Sequence, residues 1–284
     1  MTTDNLLRGG IDLHTHSGPS LYDRALDDFG LAAEAKEAGM RAVVIKAHEC
    51  PTAGRAALVN ARMEGVTACG GVVLNHSVGG FNAAAVDAAL RMGGKFVWFP
   101  TFDSQNHLSH YGGHSDTAAE AALAGLSVLD EAGRLKPEIG PILRKIAENK
   151  AILGTGHLSA REILVLTDAA LAAGVEKILI THADMFFVGL TLEQQVDLAR
   201  KGAVLEKCYL AMLLSQEGGG KRMAGSIKAI GAESCVLVTD LGQSVFPHPV
   251  AGMRTFIEAL MTEGISRGEI RTMLVENPPR LLGV

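Results

Sequence analysis

Residues 151–182 read AILGTGHLSAREILVLTDAALAAGVEKILITH and contain one full repeat of the pattern that organises the chain. A short apolar run ends at His157, and Ser159 with Glu162 forms the motif of a reciprocal helix N-cap. The helical stretch that follows stops near Gly174, and a second apolar run ends at His182. This order of strand, loop, helix, glycine and strand is typical of a parallel sheet whose strands are joined by crossover helices.

Comparable apolar runs occur eight times along the sequence. They are Gly10–His16, Arg41–His48, Thr67–His76, Lys95–Thr101, Ala151–His157, Lys177–His182, Ala203–Cys208 and Ser234–Asp240. Further capping-box motifs at Thr191–Gln194 and Ser266–Glu269 mark helices in the same alternation. Eight parallel strands close into a barrel, so the sequence predicts an α/β fold of the (β/α)8 TIM-barrel type.

One segment interrupts this period, between the fourth and fifth runs. Residues 102–136 are polar and rich in glycine and histidine, and a helix is predicted after them at about residues 137–149. We interpret the segment as an insertion on the barrel rim after strand 4. No low-complexity linker divides the chain, so we expect residues 1–284 to form a single domain.

The composition argues against several classes of partner. The 284 residues are 48% hydrophobic and 20% charged, as in a globular protein with a large core, and the formal net charge is −5. Without a run of Lys or Arg, the chain offers little to bind a nucleic acid or an anionic membrane. No signal-peptide pattern and no stretch of about 20 apolar residues is present, which predicts a cytoplasmic protein. Four cysteines without a C-x-x-C pair predict reduced, mostly buried thiols.

The ends of the runs carry histidines and an aspartate. His14 and His16 lie two positions apart, so a strand projects both side chains on one face. An H-x-H pair alone is as compatible with a place on the polar surface or in the core as with metal binding. His157, His182 and Asp240, however, end the fifth, sixth and eighth runs, at the barrel face where active sites form. This convergence predicts a divalent-metal site with one or two ions, zinc foremost and manganese or iron as alternatives.

The pattern resembles the amidohydrolase superfamily, whose members carry H-x-H on strand one, histidines on strands five and six, and an aspartate on strand eight. The resemblance spans nearly the whole chain. It implies five metal-binding residues, His14, His16, His157, His182 and Asp240. Asp240 would also be the catalytic aspartate. Family members often bridge two metals with a carboxylated Lys or a Glu from strand four, but KFVWFPTFD at residues 95–103 ends with neither. The chain therefore resembles an atypical branch.

A lysine lies inside the second apolar run. Lys46 interrupts VVIKAH and shares a strand face with His48. A lysine inside a barrel needs a partner, a modification or a lowered pKa. Three interpretations stay open: a carboxylated metal ligand, a cation that binds or polarises the substrate, and a structural Lys paired with a carboxylate. The number of metal ions therefore stays open as well.

The ligand set predicts hydrolysis of a small-molecule substrate by a metal-activated water. No serine or cysteine lies in a G-x-S-x-G elbow, which disfavours an acyl-enzyme route. Asp240 would accept the proton of the water and pass it to the leaving group, while His182 would bind the metal or orient the water. The expected bond is the C–N bond of an amide or cyclic amide, or the bond of an ester or lactone.

Other functions stay open beside this one. C–C bond hydrolysis or decarboxylation would use the same ligands, and only Lys221 and Arg222, in a glycine-rich stretch, favour a phosphoesterase. A catalytically silent barrel that binds a metabolite is the alternative outside enzymes. An open ligand set with an aspartate beside it argues against that alternative. A homo-oligomer is compatible with the architecture.

Several other side chains are expected near the same barrel face. They are Asp103, His107, His110, Tyr111 and His114 in the insertion, His48 and His76 at strand ends, and Trp98 and Cys208 as weaker candidates. For each of these residues, a substrate contact and an ordinary structural role are both open.

Overall fold

The computed structural model describes residues 4–112, 124–215 and 218–283. Nine short strands lie within these residues. They are β1 (Ile11–Thr15), β2 (Ala42–Ile45), β3 (Thr67–Cys69), β4 (Gly71–Val73), β5 (Phe96–Trp98), β6 (Ile152–Gly154), β7 (Ile178–Ile180), β8 (Val204–Cys208) and β9 (Cys235–Val238). Each of the eight predicted runs contains a strand, and the third run contains two.

The strands pair in chain order and all pairs are parallel. β1, β2 and β3 form one ladder and β4 to β9 form the other. The third run divides at Gly70, where the hydroxyl of Thr52 donates to Ile45 O at 2.7 Å and accepts from Gly71 N at 2.9 Å. A Cβ on Gly71 would lie 2.2 Å from Phe96 O, so only glycine fits this close approach.

Hydrogen bonds between the last strand and the first close the ring. Asp240 N donates to His14 O at 2.8 Å, and His16 N donates to Leu241 O at 2.8 Å. Asp12, on β1, also accepts a hydrogen bond of 2.6 Å from the hydroxyl of Thr239, the residue directly after β9. The predicted (β/α)8 barrel is therefore confirmed, and the carboxyl ends of its strands surround one mouth.

Helices connect the strands. The α-helices within the described residues are Asp4–Leu7, Asp28–Glu37, Ala53–Arg62, Ala83–Arg91, Gln105–Tyr111, Ile139–Glu148, Ala160–Ala172, Leu192–Arg200, Tyr209–Leu214, Gly219–Ile230, Pro249–Thr262, Arg267–Arg271 and Asn277–Leu282. A π-helical turn spans Thr272–Glu276, and 3-10 turns span His76–Val78 and Ala232–Ser234. The three predicted capping boxes, which begin at Ser159, Thr191 and Ser266, are all formed.

The beginning and the end of the segment predicted as an insertion are described. The helix Gln105–Tyr111 begins after Ser104, whose side chain accepts from His107 N at 3.0 Å. Leu126 N donates to Asp103 O at 2.7 Å, which holds the returning chain against the start of this helix. His114 lies outside the described residues.

The interior is apolar, and the cysteines are unpaired. Cys69, Cys208 and Cys235 are buried and Cys50 is half-buried, which confirms the expected mostly buried thiols. Within the three described ranges, no helix has the length and apolar character needed to cross a membrane.

Candidate metal centre

Five polar side chains from four neighbouring parts of the barrel meet inside its mouth. They are His14 and His16 at the end of β1, Lys46 directly after β2, His182 two residues after β7, and Asp240 two residues after β9. Each of them is at most 6% exposed. Parallel strands bring their carboxyl ends to one face, which explains why residues so distant in sequence converge.

The imidazoles are arranged around the Asp240 carboxylate. The Nε2 atoms of His14 and His16 both lie 2.9 Å from Asp240 Oδ1. His182 Nε2 lies 3.7 Å from the other oxygen, Asp240 Oδ2. All three rings therefore direct their Nε2 atoms toward the Asp240 carboxylate.

This donor set fits a divalent metal ion. Among the residues that the structure describes, ligand atoms within 4.8 Å of one another occur in three buried groups: His14, His16 and Asp240; His14, His182 and Glu206; and His182, Cys208 and Asp240. Imidazole nitrogens and carboxylate oxygens are the ligands that zinc and similar ions take in open catalytic sites. The first group also contains the two 2.9 Å approaches to a single oxygen, so it is the best candidate.

His157 lies beside this cluster rather than within it. Its ring centre is 5.1 Å from that of His182, and it belongs to none of the three groups. Its Nδ1 lies 3.0 Å from Nδ1 of His107, which is also buried. The expectation that His157 binds metal therefore stays a prediction, and His107 is an insertion residue whose ring contacts the His157 ring.

A buried glutamate that the sequence reasoning missed supports two of the histidines. Glu206, on β8, has both oxygens 3.2 Å from His14 Nδ1. Its Oε1 also lies 3.2 Å from His182 Nδ1 and accepts from His182 N at 3.1 Å. Since the Nδ1 side of both rings faces Glu206, their Nε2 side faces Asp240. This is the arrangement in which a carboxylate orients histidine ligands.

Burial and mutual charge set the protonation of the cluster. Burial works to raise the pKa of Asp240, but the charges of His14 and His182 and two histidine hydrogen bonds hold it well below its ordinary value. Burial lowers the pKa of His16 to about 3, so this ring is neutral at physiological pH. For His14, burial works in the same direction, but mainly the negative charges of Asp240 and Glu206 outweigh it and raise the pKa to about 9.

Lys46 adds a nitrogen to the cluster. Its Nζ lies 3.0 Å from His14 Nε2 and 5.9 Å from the ring centre of Trp98. Burial lowers the pKa of this amine. In the described part of the chain, no carboxylate lies within 4.0 Å of Lys46 Nζ, so the pairing expected of a purely structural Lys is not found there.

The backbone is unusual at two of these residues. His182 has φ +56° and Asp240 has φ +55°, both in the left-handed region that residues other than glycine rarely adopt. Such conformations cost of order 1–3 kcal/mol, and they cluster at functional sites. The fold holds both residues in this conformation at the point where each strand leaves the barrel.

Aromatic rings continue from the cluster to the rim. His48 stacks on His16 with ring centres 4.9 Å apart and on Phe102 at 3.8 Å. Its Nδ1 pairs with the Thr101 hydroxyl at 2.8 Å. Burial holds the pKa of His48 well below its ordinary value, so the ring is neutral. Tyr22 meets Phe102 edge-on at 5.4 Å.

The other rim candidates make local contacts. Asp103 accepts from His76 N at 2.7 Å, and the His76 ring pairs with Ala124 O at 3.0 Å. The His110 ring pairs with Asn106 O at 2.9 Å. Tyr111 is partly exposed, Trp98 is buried and stacks on a neighbouring phenylalanine, and Lys221 and Arg222 are exposed in the first turn of a helix. Cys208 belongs to a metal-capable group, but burial raises the pKa of its thiol well above the ordinary value.

The fold and the polar mouth define the class of structure: an α/β barrel that is similar to several solved structures. An amidohydrolase from Pseudomonas aeruginosa superposes with a TM-score of 0.65 at 12% identity, covering 99% of this chain and 98% of the other. The probable dipeptidase PvdM from the same organism gives 0.65 and 12%, covering 99% and 96%. A 2,6-dihydroxybenzoate decarboxylase from Rhizobium gives 0.57 and 12%, covering 97% and 99%. These likenesses confirm the resemblance at the level of the fold.

The sequence also matches one family model. Residues 9–206 match the family described as a family of unknown function (DUF6282). The chain belongs to this family. No curated protein matches the sequence.

Proposed function

We propose that this chain is a metal-dependent hydrolase that cleaves an amide, cyclic amide, ester or lactone bond of a small molecule, with residues 1–284 acting as one domain. The observation that carries the proposal is the approach of two histidine nitrogens to one carboxylate oxygen. His14 Nε2 and His16 Nε2 both lie 2.9 Å from Asp240 Oδ1, in a buried cluster at the carboxyl ends of parallel strands. Open catalytic sites for zinc use this combination of ligands.

The proposed ligands are His14, His16, His182 and Asp240, with His157 and Lys46 as further candidates. A bound zinc, manganese or iron ion would lower the pKa of a coordinated water to around 7 and polarise the scissile carbonyl. The neutral ring of His16 has its nitrogen available, and Glu206 fixes the orientation of the His14 ring.

Asp240 is the proposed general acid and base. The neighbouring histidines hold its pKa low, so at neutral pH it is a carboxylate that accepts a proton. Its Oδ2 is 3.7 Å from His182 Nε2, which places that ring to orient the water or the substrate beside the carboxylate. The same carboxylate then returns the proton to the leaving group.

Lys46 has two proposed roles that experiment can separate. A carboxylated Lys46 would supply an oxygen ligand, and an unmodified Lys46 would bind or polarise the oxygen of the substrate. Both roles place its Nζ beside the cluster, where it lies 3.0 Å from His14 Nε2. Intact-mass measurement and the metal stoichiometry of Lys46→Ala distinguish the two.

Metal content tests the proposal first. We expect protein purified without chelator to hold one or two divalent ions, His14→Ala to lose them, and His110→Ala, a histidine change at an exposed rim position, to keep them. The loaded protein should hydrolyse at least one compound of a panel of amides, cyclic amides, esters and lactones. Wild-type protein that stays metal-free after incubation with zinc, manganese or iron would overturn the proposal. Loaded protein that releases carbon dioxide from carboxylic acids, and hydrolyses nothing, would replace it with a decarboxylase.

A further inference from the structure

A loop at the barrel mouth carries an arginine next to the cluster. Residues 17–27 follow β1 and are held against the residues that follow β9, since Ala25 N donates to Gly242 O at 2.9 Å. Gly18 N closes the loop on itself by donating to Leu26 O at 2.8 Å. Arg24 therefore lies at the rim between the ends of the first and last strands, where His16 and Asp240 also lie.

The guanidinium of Arg24 has few partners of its own. Its Nε donates a long hydrogen bond of 3.4 Å to the Ser20 hydroxyl, and its carbon lies 5.5 Å from the centre of the Tyr22 ring. Within residues 4–112, 124–215 and 218–283, no carboxylate lies within 4.0 Å of it. Glu49 is the acid whose charge attracts Arg24 most, and it does so from more than 4.0 Å away. The Oε1 atom of Glu49 is already used, because it accepts a hydrogen bond from Leu21 N at 3.2 Å.

Arg24 lies close to the cluster. Its guanidinium carbon is 5.5 Å from the centre of the Tyr22 ring, and that ring is 6.0 Å from the His48 ring, which stacks on His16. Arg24 is half-buried, so its guanidinium has lost part of its water, and this burial lowers its pKa. A partly dehydrated guanidinium without an ion pair favours an anion, and its planar fork matches a carboxylate in particular.

The wall beside Arg24 is aromatic. Tyr22 lies under the guanidinium and meets Phe102 edge-on at 5.4 Å, Phe102 stacks on His48 at 3.8 Å, and His48 stacks on His16 at 4.9 Å. Rings thus connect the arginine to a proposed metal ligand without interruption. Such a wall packs best against another flat ring, by stacking or edge-on contact.

We infer that the substrates are planar cyclic acids, with the carboxylate held by Arg24 and the ring packed against Tyr22 and Phe102. This inference rests on the proposed function, because it names the substrate class of the same site. Arg24 then selects for the anion, and the aromatic wall selects for the ring. The bond to be cleaved would be presented to Asp240 from the rim.

Calorimetric titration of the full-length protein as purified, whatever its metal content, tests this with benzoate, benzamide and acetate as probes. We expect benzoate to bind at least about tenfold more tightly than benzamide, the size of one charge-assisted contact. Arg24→Met should abolish that preference and leave benzamide binding unchanged, which also shows that the variant is folded. Arg24→Lys should keep part of the preference. Phe102→Leu should weaken benzoate and benzamide alike and leave acetate unaffected.

Arg200→Met is the matched control, since Arg200 is exposed on a helix and paired with Asp197. Its benzoate affinity should equal that of the wild type. Equal benzoate affinity in Arg24→Met and wild type would overturn the inference, as would equal affinity of the wild type for benzoate and acetate. Binding needs no turnover, so the two proposals fail separately. A metal-free, inactive protein with an Arg24-dependent preference refutes only the hydrolase, and an active one without that preference refutes only the substrate class.

Discussion

Replacing Glu206 by glutamine should weaken metal binding without unfolding the protein. The carboxylate lies 3.2 Å from Nδ1 of both His14 and His182 and accepts from the His182 backbone at 3.1 Å. Glutamine keeps the size and one acceptor oxygen but loses the negative charge and the second acceptor. Both rings therefore lose a charged partner, and the ring that faces the new amide nitrogen also loses its acceptor, so its Nε2 is no longer held toward Asp240.

The magnitude follows from the kind of contact that is lost. A hydrogen bond to a charged group contributes about 1.5 to 3 kcal/mol. Loss of one such bond corresponds to roughly 10- to 100-fold weaker metal binding, the usual range when a residue that orients a metal ligand is changed. The expected result is a zinc affinity lower by that factor, measured by competition with a chromophoric chelator.

Glu162→Gln provides the control for this experiment. Glu162 is also a buried carboxylate, but it accepts from Ser127 and Ser159 in a helix cap. This variant should lose thermal stability and keep wild-type zinc affinity. If Glu206→Gln binds zinc as tightly as the wild type, Glu206 does not orient the ligands and the reasoning is refuted. If it loses zinc completely at saturating concentrations, Glu206 is itself a ligand.

Three further results are expected. Asp240→Asn should keep bound metal at reduced affinity but lose at least about 100-fold in kcat/KM for any substrate found, because the amide cannot accept the proton; unchanged turnover would assign proton transfer to another group. A disulfide reagent should label Cys50, which is half-buried, and leave the buried Cys235 unlabelled, because burial raises the pKa of the Cys235 thiol to about 12. Labelling of Cys50 should be faster at pH 10 than at pH 8, because burial raises the pKa of its thiol as well and less thiolate is present at the lower pH; labelling that persists in Cys50→Ser contradicts this. Gly71→Ala should destabilise the protein by about 1–3 kcal/mol in urea unfolding, since the new Cβ would lie 2.2 Å from the backbone oxygen of Phe96. Gly225→Ala is the control and should be neutral or stabilising, because the space around a Cβ at that helical position is open. Equal unfolding midpoints for the two variants would contradict the close approach at Gly71.

The sequence predicts the barrel because the signal for each strand lies within a short local stretch of residues. Apolar runs that end in a polar residue, followed by a capped helix, appear in the structure as a strand, a rim residue and a helix. The division of the third strand at Gly70 depends instead on a contact with Thr52 from another unit, which periodicity cannot reveal. The metal-binding candidates could be predicted from the sequence for the same reason as the strands, because His14, His182 and Asp240 lie at or just after strand ends.

Other parts of the site were not accessible from one sequence. Glu206 precedes a lysine, and two adjacent charges in a strand do not reveal which one faces the barrel interior. One signal existed, because Glu206 shares a strand face with Cys208, which ends the strand at the rim. Arg24, Tyr22 and Phe102 lie in loops, whose path depends on contacts with other loops rather than on a repeating pattern.

The alternation along β8 links the site to the outer shell of the molecule. Glu206 faces His14 and His182 inside, while Lys207 faces outward and pairs with Asp184 at 3.0 Å and with Gln195 at 3.0 Å. Because Asp184 is only two residues after His182, adjacent residues of β8 contact both ends of the same turn: Glu206 contacts His182 and Lys207 contacts Asp184. A deletion or insertion of a single residue in β8 would exchange these two charges across the sheet. Either change would turn the ammonium group toward the barrel interior and the carboxylate toward the outer shell, so the site depends on the number of residues in this strand.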